Sequence, residues 1–294
     1  MLRESGKSSS KAENTVENSA KTMDWNQVLH TAIKAVSLGR QVLLNYFGNL
    51  EHIEEKFQAG LVSEADKESE RVIADHLKKN FPEIEFLGEE SFAAGAKVQW
   101  SPAGAKGRWI LDPLDGTTNY IHRFPIFCIS LGLEFNGKMQ IAVIDVPMLN
   151  ETYTAIRGQG AFVNGRRISV SQTKVFKDAL LATGFVAEHE NVISEQMKVF
   201  NSVVRNCRGV RRPGAAAYDL AQVARGVFDG YWERNIQPWD AAAGILLVEE
   251  AGGIVMTYRG DTYTPYKNSI IAANPVVAGD LKQYINANIS EGTH

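Results

Sequence analysis

The sequence predicts a layered α/β or α+β fold. Two helical patterns come first, a run of strand-like segments follows, and helix and strand patterns then alternate. Composition agrees: 294 residues, 44% hydrophobic and 22% charged, suffice for one large domain or two tightly joined halves. No internal repeat is evident.

From Trp25 the apolar residues Val28, Ala32, Ala35, Val36, Val42, Leu43 and Phe47 recur at three- and four-residue spacings, which predicts a helix. A second helix is expected over about 63–81, with Val72, Ile73, Leu77 and Phe81 on its apolar face. Strands are expected at 85–88, 108–112, 127–134, 138–146 and 151–156, and 158–165 reads as a hairpin. After Ala179 the pattern is strand, helix (191–206), strand, helix (215–225), strand (229–233) and helix (239–251), then short strands to Ala273. The expected boundaries are a disordered tail at 1–23, a catalytic domain at 24–288 divided into halves near 165–180, and a tail at 289–294.

Several function classes are disfavoured. A net charge of −3 provides no electrostatic footprint for nucleic acid or an anionic membrane. No apolar run approaches the ~20 residues that span a bilayer, and residues 1–23 lack the apolar core of a secretory signal. A cytoplasmic protein is expected. Cys128 and Cys207 cannot make a disulfide framework, and buried thiols are the default reading. The six histidines show no zinc spacing. His122, close to the main motif, reads as an N-terminal helix or surface residue. Gly252-Gly253 reads as a helix end.

The informative segment is Trp109-Ile-Leu-Asp-Pro-Leu-Asp-Gly-Thr-Thr-Asn119. It opens as a buried strand and turns at Pro113 and Gly116, with Asp112 and Asp115 three residues apart at the turn. Thr117 and Thr118 follow where a helix could begin. Hard oxygen ligands and helix-start N–H groups would then share one space, suiting a divalent cation and a phosphate. Asp-Pro and Asp-Gly are also ordinary turn pairs, so the segment alone is equally a strand-to-helix turn. Two further acidic turns point to convergence on one site. Glu89 and Glu90 follow the apolar run 84–87 and Gly88, and Asp240 precedes the Ala-rich helix.

These segments resemble the inositol monophosphatase family. Asp112-Pro-Leu-Asp-Gly-Thr-Thr-Asn119 looks like its first signature, and Trp239-Asp-Ala-Ala-Ala-Gly244 leading into Glu249-Glu-Ala-Gly-Gly253 looks like its second. Gly88-Glu-Glu-Ser91 and Val62-Ser-Glu-Ala-Asp66 match two smaller acidic motifs in the same order, and the similarity covers about 24–288. The resemblance implies an αβαβα sandwich, a homodimer, inhibition by lithium, and Mg²⁺-dependent hydrolysis of a small-molecule phosphate monoester.

It also implies roles for individual residues. One Mg²⁺ maps to Glu89, Asp112 and the carbonyl of Leu114, a second to Asp112, Asp115 and Asp240, and a weaker third near Glu89. Water activation maps to Thr117 with Asp66, since a hydroxyl can orient water and a carboxylate can take its proton. Gly116 and Thr117 map to the phosphate, and Asp115, Gly214, Ala216 and Glu233 to the leaving group. Lys56 matches a lysine near the metals, or is a surface lysine. As structural alternatives, Glu89 and Asp240 are helix caps and Asp66 is a helix N-terminal charge.

The match identifies the chemistry better than the substrate. Ala215 and Phe185 replace polar residues of animal members, which leaves the metal site intact and inositol specificity open. The first reading is hydrolysis of myo-inositol monophosphate. Fructose 1,6-bisphosphate or a nucleotide bisphosphate is the enzymatic alternative. A non-enzymatic alternative is a regulatory partner of bacterial transcription machinery. Arg205, Arg208, Arg211 and Arg212 keep both alternatives open.

Overall fold

A computed structural model describes residues 23–56, 60–95, 107–185 and 190–289. Most of the expected tails, residues 1–22 and 290–294, lie outside it. So does the side chain of Lys56, whose backbone belongs to the first strand.

The chain opens with α1 (Trp25–Tyr46), capped by Asp24, whose carboxylate accepts from the N–H groups of Asn26 and Gln27. Its buried face carries Val28, Ala32, Ala35, Val36, Gly39 and Leu43, the expected helical stripe. A hairpin of β1 (Ile53–Lys56) and β2 (Gly60–Ser63) follows, which the sequence pattern had not signalled. Next comes α2 (Glu64–Asn80), burying Ala65, Asp66, Ser69, Glu70, Ile73 and Leu77.

A seven-stranded sheet comes next, in spatial order β3 to β9: β3 (Glu85–Gly88), β4 (Arg108–Asp115), β5 (Cys128–Phe135), β6 (Lys138–Val146), β7 (Glu151–Ile156), β8 (Gly160–Val163) and β9 (Arg166–Ile168). Only the β3–β4 pair in this sheet is parallel. Two short helices flank β4: α3 (Glu89–Ala93) and α4 (Thr117–Ile121). The expected hairpin at 158–165 is two turns around β8, since β7 and β9 both pair with it. Its second turn, Asn164-Gly165, has positive φ at both residues, the backbone that suits a tight hairpin.

Both faces of this sheet are covered, so β4 is buried at every position rather than alternating with solvent. Trp109 and Leu111 face the core beneath α1 and α2, while Ile110 faces the opposite core. That second core holds α6 (Ala216–Ala224) and α7 (Pro238–Glu250).

Beyond them lies a five-stranded sheet in the order β11-β10-β12-β14-β13: β10 (Leu180–Thr183), β11 (Gly209–Arg211), β12 (Gly230–Arg234), β13 (Ile254–Met256) and β14 (Ser269–Ala273). Its outer face packs on α5 (Glu190–Val204) and α8 (Pro275–Asn286) through Val199, Val203, Leu281 and Ile285. The result is the αβαβα sandwich. The change from one sheet to the other falls between β9 and β10.

A helix between two sheets must be apolar nearly all round, and α7 is: Trp239, Ala241 to Ala243 and Ile245 to Val248 are buried. Its small residues set the spacing, since a Cβ on Gly244 would meet the Leu220 side chain at 2.4 Å. This close seat fixes where the N-terminus of α7 delivers Asp240.

Candidate active site

The site is built at the C-terminal end of β4. Asp112 pairs with Ser130 and Asp115 with Cys128, so the register slips by one residue between them. Such a bulge bends the strand and re-aims its side chains. Pro113 lies inside it, where no ladder N–H is needed. Asp112 Oδ1 accepts from the N–H of Leu114 at 2.9 Å, and Ser69 Oγ donates to the Pro113 carbonyl at 3.1 Å. Gly116 then takes φ 92°, a conformation open to glycine, and α4 starts at Thr117.

Other elements converge on this turn. Asp115 accepts from Ala217 N at 2.7 Å, Ala216 N at 3.2 Å and Cys128 Sγ at 3.5 Å, which anchors it to the first turn of α6. Asn119 donates to the carbonyls of Ile126 and Pro213 at 2.7 and 2.8 Å, tying the motif to the segment carrying Gly214 and Ala216. Thr117 Oγ1 lies 3.1 Å from Asp66 Oδ1 and 3.0 Å from the Leu114 carbonyl. Asp66 is fully buried, and its second oxygen accepts from Ser63 N and Ser63 Oγ at 2.8 and 2.6 Å. It therefore serves a capping box and contacts Thr117 together.

Asp240 is the third helical residue of α7 rather than its N-cap. Gln237 is the cap, because Pro238 takes the first helical position, and Gln237 N donates to Asp240 at 3.0 Å. Glu89 opens α3, whose start is held by Glu70: this buried carboxylate accepts from Glu90 N at 2.9 Å, Ser91 N at 2.8 Å and the Ser91 hydroxyl. Glu70 follows Asp66 by one helical turn on the buried face of α2, and that spacing is the sequence signal that could have found it.

Electrostatics tie the acidic residues together. Burial pushes the Asp112 carboxyl well above its ordinary value, and the charges of Glu89, Asp115 and Asp240 push the same way. Asp240 is raised by burial, Asp115 and Glu89. Asp115 is raised by burial to about 6, against the lowering effect of its Ala217 and Ala216 hydrogen bonds. Among the described residues, no three His, Cys, Asp or Glu side chains make a preassembled cation shell. The donors nevertheless fit Mg²⁺, which favours carboxylate oxygens, keeps several waters and is completed by substrate phosphate. Cation charge would relieve the mutual repulsion of these carboxylates.

Beside Asp115 and Asp240 a cavity of about 130 Å³ opens toward the five-stranded sheet. Gly214 and Ala216 border it, as does Glu233 on β12, which accepts a hydrogen bond from the Tyr231 hydroxyl. Burial raises the Glu233 carboxyl to about 7, opposed by the Tyr231 hydrogen bond and by Arg212. The expected arginine cluster is divided. Arg212 borders the cavity, whereas Arg208 pairs with Asp178 and Arg205 donates to Asn201. Phe185 packs edge-on against Phe200 of α5, and Ala215 is buried against the turn, 3.3 Å from a Cβ placed on Gly116. His122 is exposed and caps the C-terminus of α4, a surface position rather than a helix N-terminus. Sequence reasoning missed Glu70, Asp219, Ser63 and Tyr231 as site residues.

Comparison with known proteins identifies the family. The sequence profile of the inositol monophosphatase family matches residues 24–294. The inositol-1-monophosphatase of Rhizobium meliloti is 39% identical, over 91% of this chain and 99% of its own length. A putative Nus factor SuhB of Neisseria meningitidis serogroup B is 38% identical over 90% of this chain and 100% of its own. Aquifex aeolicus has a fructose-1,6-bisphosphatase/inositol-1-monophosphatase 40% identical over 84% and 90%. The solved inositol monophosphatase of Anabaena superposes with a TM-score of 0.79 at 36% identity, over 92% of this chain and 99% of that one. With its signature turn, its layered fold and a match running from residue 24 to residue 294, the chain belongs to the inositol monophosphatase family and is a phosphatase of that superfamily.

Proposed function

We propose that the protein hydrolyses myo-inositol monophosphate to inositol and phosphate, with Mg²⁺ as cofactor. The observation that carries the reading is the Thr117–Asp66 contact at the edge of a carboxylate cluster that opens on a small polar cavity. Glu89, Asp112 and the Leu114 carbonyl would hold one Mg²⁺, Asp112, Asp115 and Asp240 a second, and Glu89 a weaker third. When bound, the ions supply an activated water and charge neutralisation at the ester.

The chain's own residues do the rest. Thr117 Oγ1 orients the attacking water and takes a proton from it as its own hydroxyl proton passes to Asp66. The new bond to phosphorus forms as the ester oxygen leaves, and that oxygen is protonated by a solvent water. Gly116 and Thr117 hold the phosphate oxygens, while Glu233, Asp115, Gly214 and Ala216 hold the leaving group.

A second enzymatic reading is fructose 1,6-bisphosphate. It is favoured by Arg212 at the cavity and by the double name of the Aquifex relative. A regulatory role is favoured by the name of the Neisseria relative. We also propose a homodimer.

The test is phosphate release from inositol 1-phosphate, fructose 1,6-bisphosphate and adenosine 3′,5′-bisphosphate, with and without Mg²⁺, beside Asp112→Asn. Mg²⁺-dependent turnover of the inositol ester, lost in the variant, is the expected result. Silence on all three moves the weight to the regulatory reading, in which Asp112→Asn still captures the partner.

A further inference from the structure

The connection from β13 to β14 borders a second cavity, of about 340 Å³, which shares no lining residue with the one beside Asp115. Thr257 and Ser269 are buried parts of its wall, 8% and 6% exposed. Both hydroxyls serve as acceptors, Thr257 Oγ1 from Asp261 N at 3.1 Å and Ser269 Oγ from Tyr258 N at 3.3 Å. Among the described residues neither gives its own hydrogen to a protein acceptor. The other buried serine and threonine hydroxyls described all donate: Ser63 to Asp66, Ser69 to the Pro113 carbonyl, Ser130 to the Trp239 carbonyl and Thr183 to the Trp232 carbonyl. The two exceptions line one cavity, and each has a hydrogen to offer there.

Charge points the same way. Arg259 and Lys267 line the cavity, are exposed and, among the described residues, form no ion pair. The Lys282 ammonium of α8 lies against Gly260, between Arg259 and Asp261 in sequence. Asp261 is the one acid on the wall. Two hydroxyls, a guanidinium and an ammonium suit a tetrahedral oxyanion, whose oxygens point in several directions, better than a planar carboxylate. The lone acid sharpens the choice. Asp261 repels a bare anion but accepts a hydrogen bond from one that keeps a proton, and near neutral pH phosphate keeps one while sulfate keeps none. We propose that this cavity binds hydrogenphosphate, the ion that a phosphatase releases, at a site separate from the carboxylate turn. Thr257, Ser269, Arg259 and Lys267 donate to its oxygens, and Asp261 accepts from its hydroxyl.

The test is isothermal titration calorimetry of the full chain in EDTA at neutral pH, with inorganic phosphate, sulfate and acetate as probes. The parent should take up phosphate saturably below about 10 mM, and more tightly than sulfate or acetate. Arg259→Gln, Lys267→Gln and Ser269→Ala should each weaken phosphate binding by about tenfold, the effect of losing one hydrogen bond to a charged group. Asp261→Asn should remove the preference over sulfate, and Asp112→Asn should leave phosphate binding unchanged. Arg259 and Lys267 are exposed, so their variants decide the matter even where Ser269→Ala fails to fold. No saturable uptake by the parent would overturn the inference. So would binding that survives the lysine and arginine variants, or that weakens in Asp112→Asn instead, which places the ion at the β4 turn. Equal affinity for the three anions also overturns it, leaving a patch of general positive charge.

Discussion

Asp66 Oδ1 lies 3.1 Å from Thr117 Oγ1, across 51 residues of sequence, and joins the first turn of α2 to the first residue of α4. The other oxygen of Asp66 is already held by Ser63, so the carboxylate points at the threonine independently of substrate. Thr117 also reaches the Leu114 carbonyl at 3.0 Å. A hydroxyl has one hydrogen, so it serves one of these acceptors at a time and keeps lone pairs for a water. Thr117→Ala and Asp66→Asn should each lower kcat by about 10²–10⁴-fold, the usual worth of a proton-transfer group, with KM little changed. Steady-state kinetics on the inositol ester decide this. A rise in KM at constant kcat would instead make the pair a binding element.

Asp112 receives the repulsion of Glu89, Asp115 and Asp240. Mg²⁺ should therefore raise the melting temperature of the parent, by the equivalent of about 2.7 kcal/mol when the ion is a hundredfold above its Kd. Asp112→Asn should lose most of that shift along with turnover. Thermal melts with and without Mg²⁺ give the answer, and an undiminished shift in the variant would remove Asp112 from the metal site.

Glu70 acts one step further out. Three donors of Glu90 and Ser91, next to the candidate ligand Glu89, fix the start of α3 on its carboxylate. Glu70→Gln should weaken Mg²⁺ activation by about 10–100-fold, as loss of an outer-shell partner commonly does, while kcat at saturating Mg²⁺ recovers. A Mg²⁺ titration of activity reads both quantities.

How much of this the sequence revealed follows from how local each signal is. The turn at Asp112–Asn119 was legible because Pro113, Gly116 and two carboxylates crowd into a few residues between an apolar strand and a helix start. α8 was missed, although Asn274 followed by Pro275 is a helix-start signal, and the Asn274 side chain does accept from Val276 and Val277. Glu70 and Asp219 were missed for a different reason. A charged residue inside a helix ordinarily belongs to a solvated face; for Glu70 the one-turn spacing from Asp66 was the only local hint, and for Asp219 it is the packing of α6 between the sheets that turns it inward. Arg212 was grouped with its sequence neighbours, and the separation of Arg205 and Arg208 from it appears only once β11 is in place.

Gly184 leaves room for Glu233. A Cβ there would meet atoms of that carboxyl group at 2.2 Å, and the Tyr231 hydroxyl already restrains the group. Gly184→Ala should therefore displace Glu233, destabilise the protein by about 1–3 kcal/mol through overpacking, and raise KM for the inositol ester. The Mg²⁺-induced rise in melting temperature should persist, because the displaced carboxylate is not a proposed ligand. Loss of that rise would show that the damage reaches the metal site.

Glu233 also sets a pH dependence whose sign is fixed. Its carboxyl stands at about 7 in the folded protein against 4.5 ordinarily, so between those values the folded state holds a proton that the unfolded state has lost. Stability then falls as pH rises through roughly 4.5 to 7, and the full penalty is present above that window. Glu233→Gln removes the titration. Its melting temperature relative to the parent should accordingly be higher at pH 8 than at pH 5, by the equivalent of about 1–2 kcal/mol, since the partly exposed carboxylate is screened by water. Paired melts of metal-free protein at the two pH values measure this. A difference of the opposite sign would mean that Glu233 is held as an ion by Arg212 rather than raised by burial.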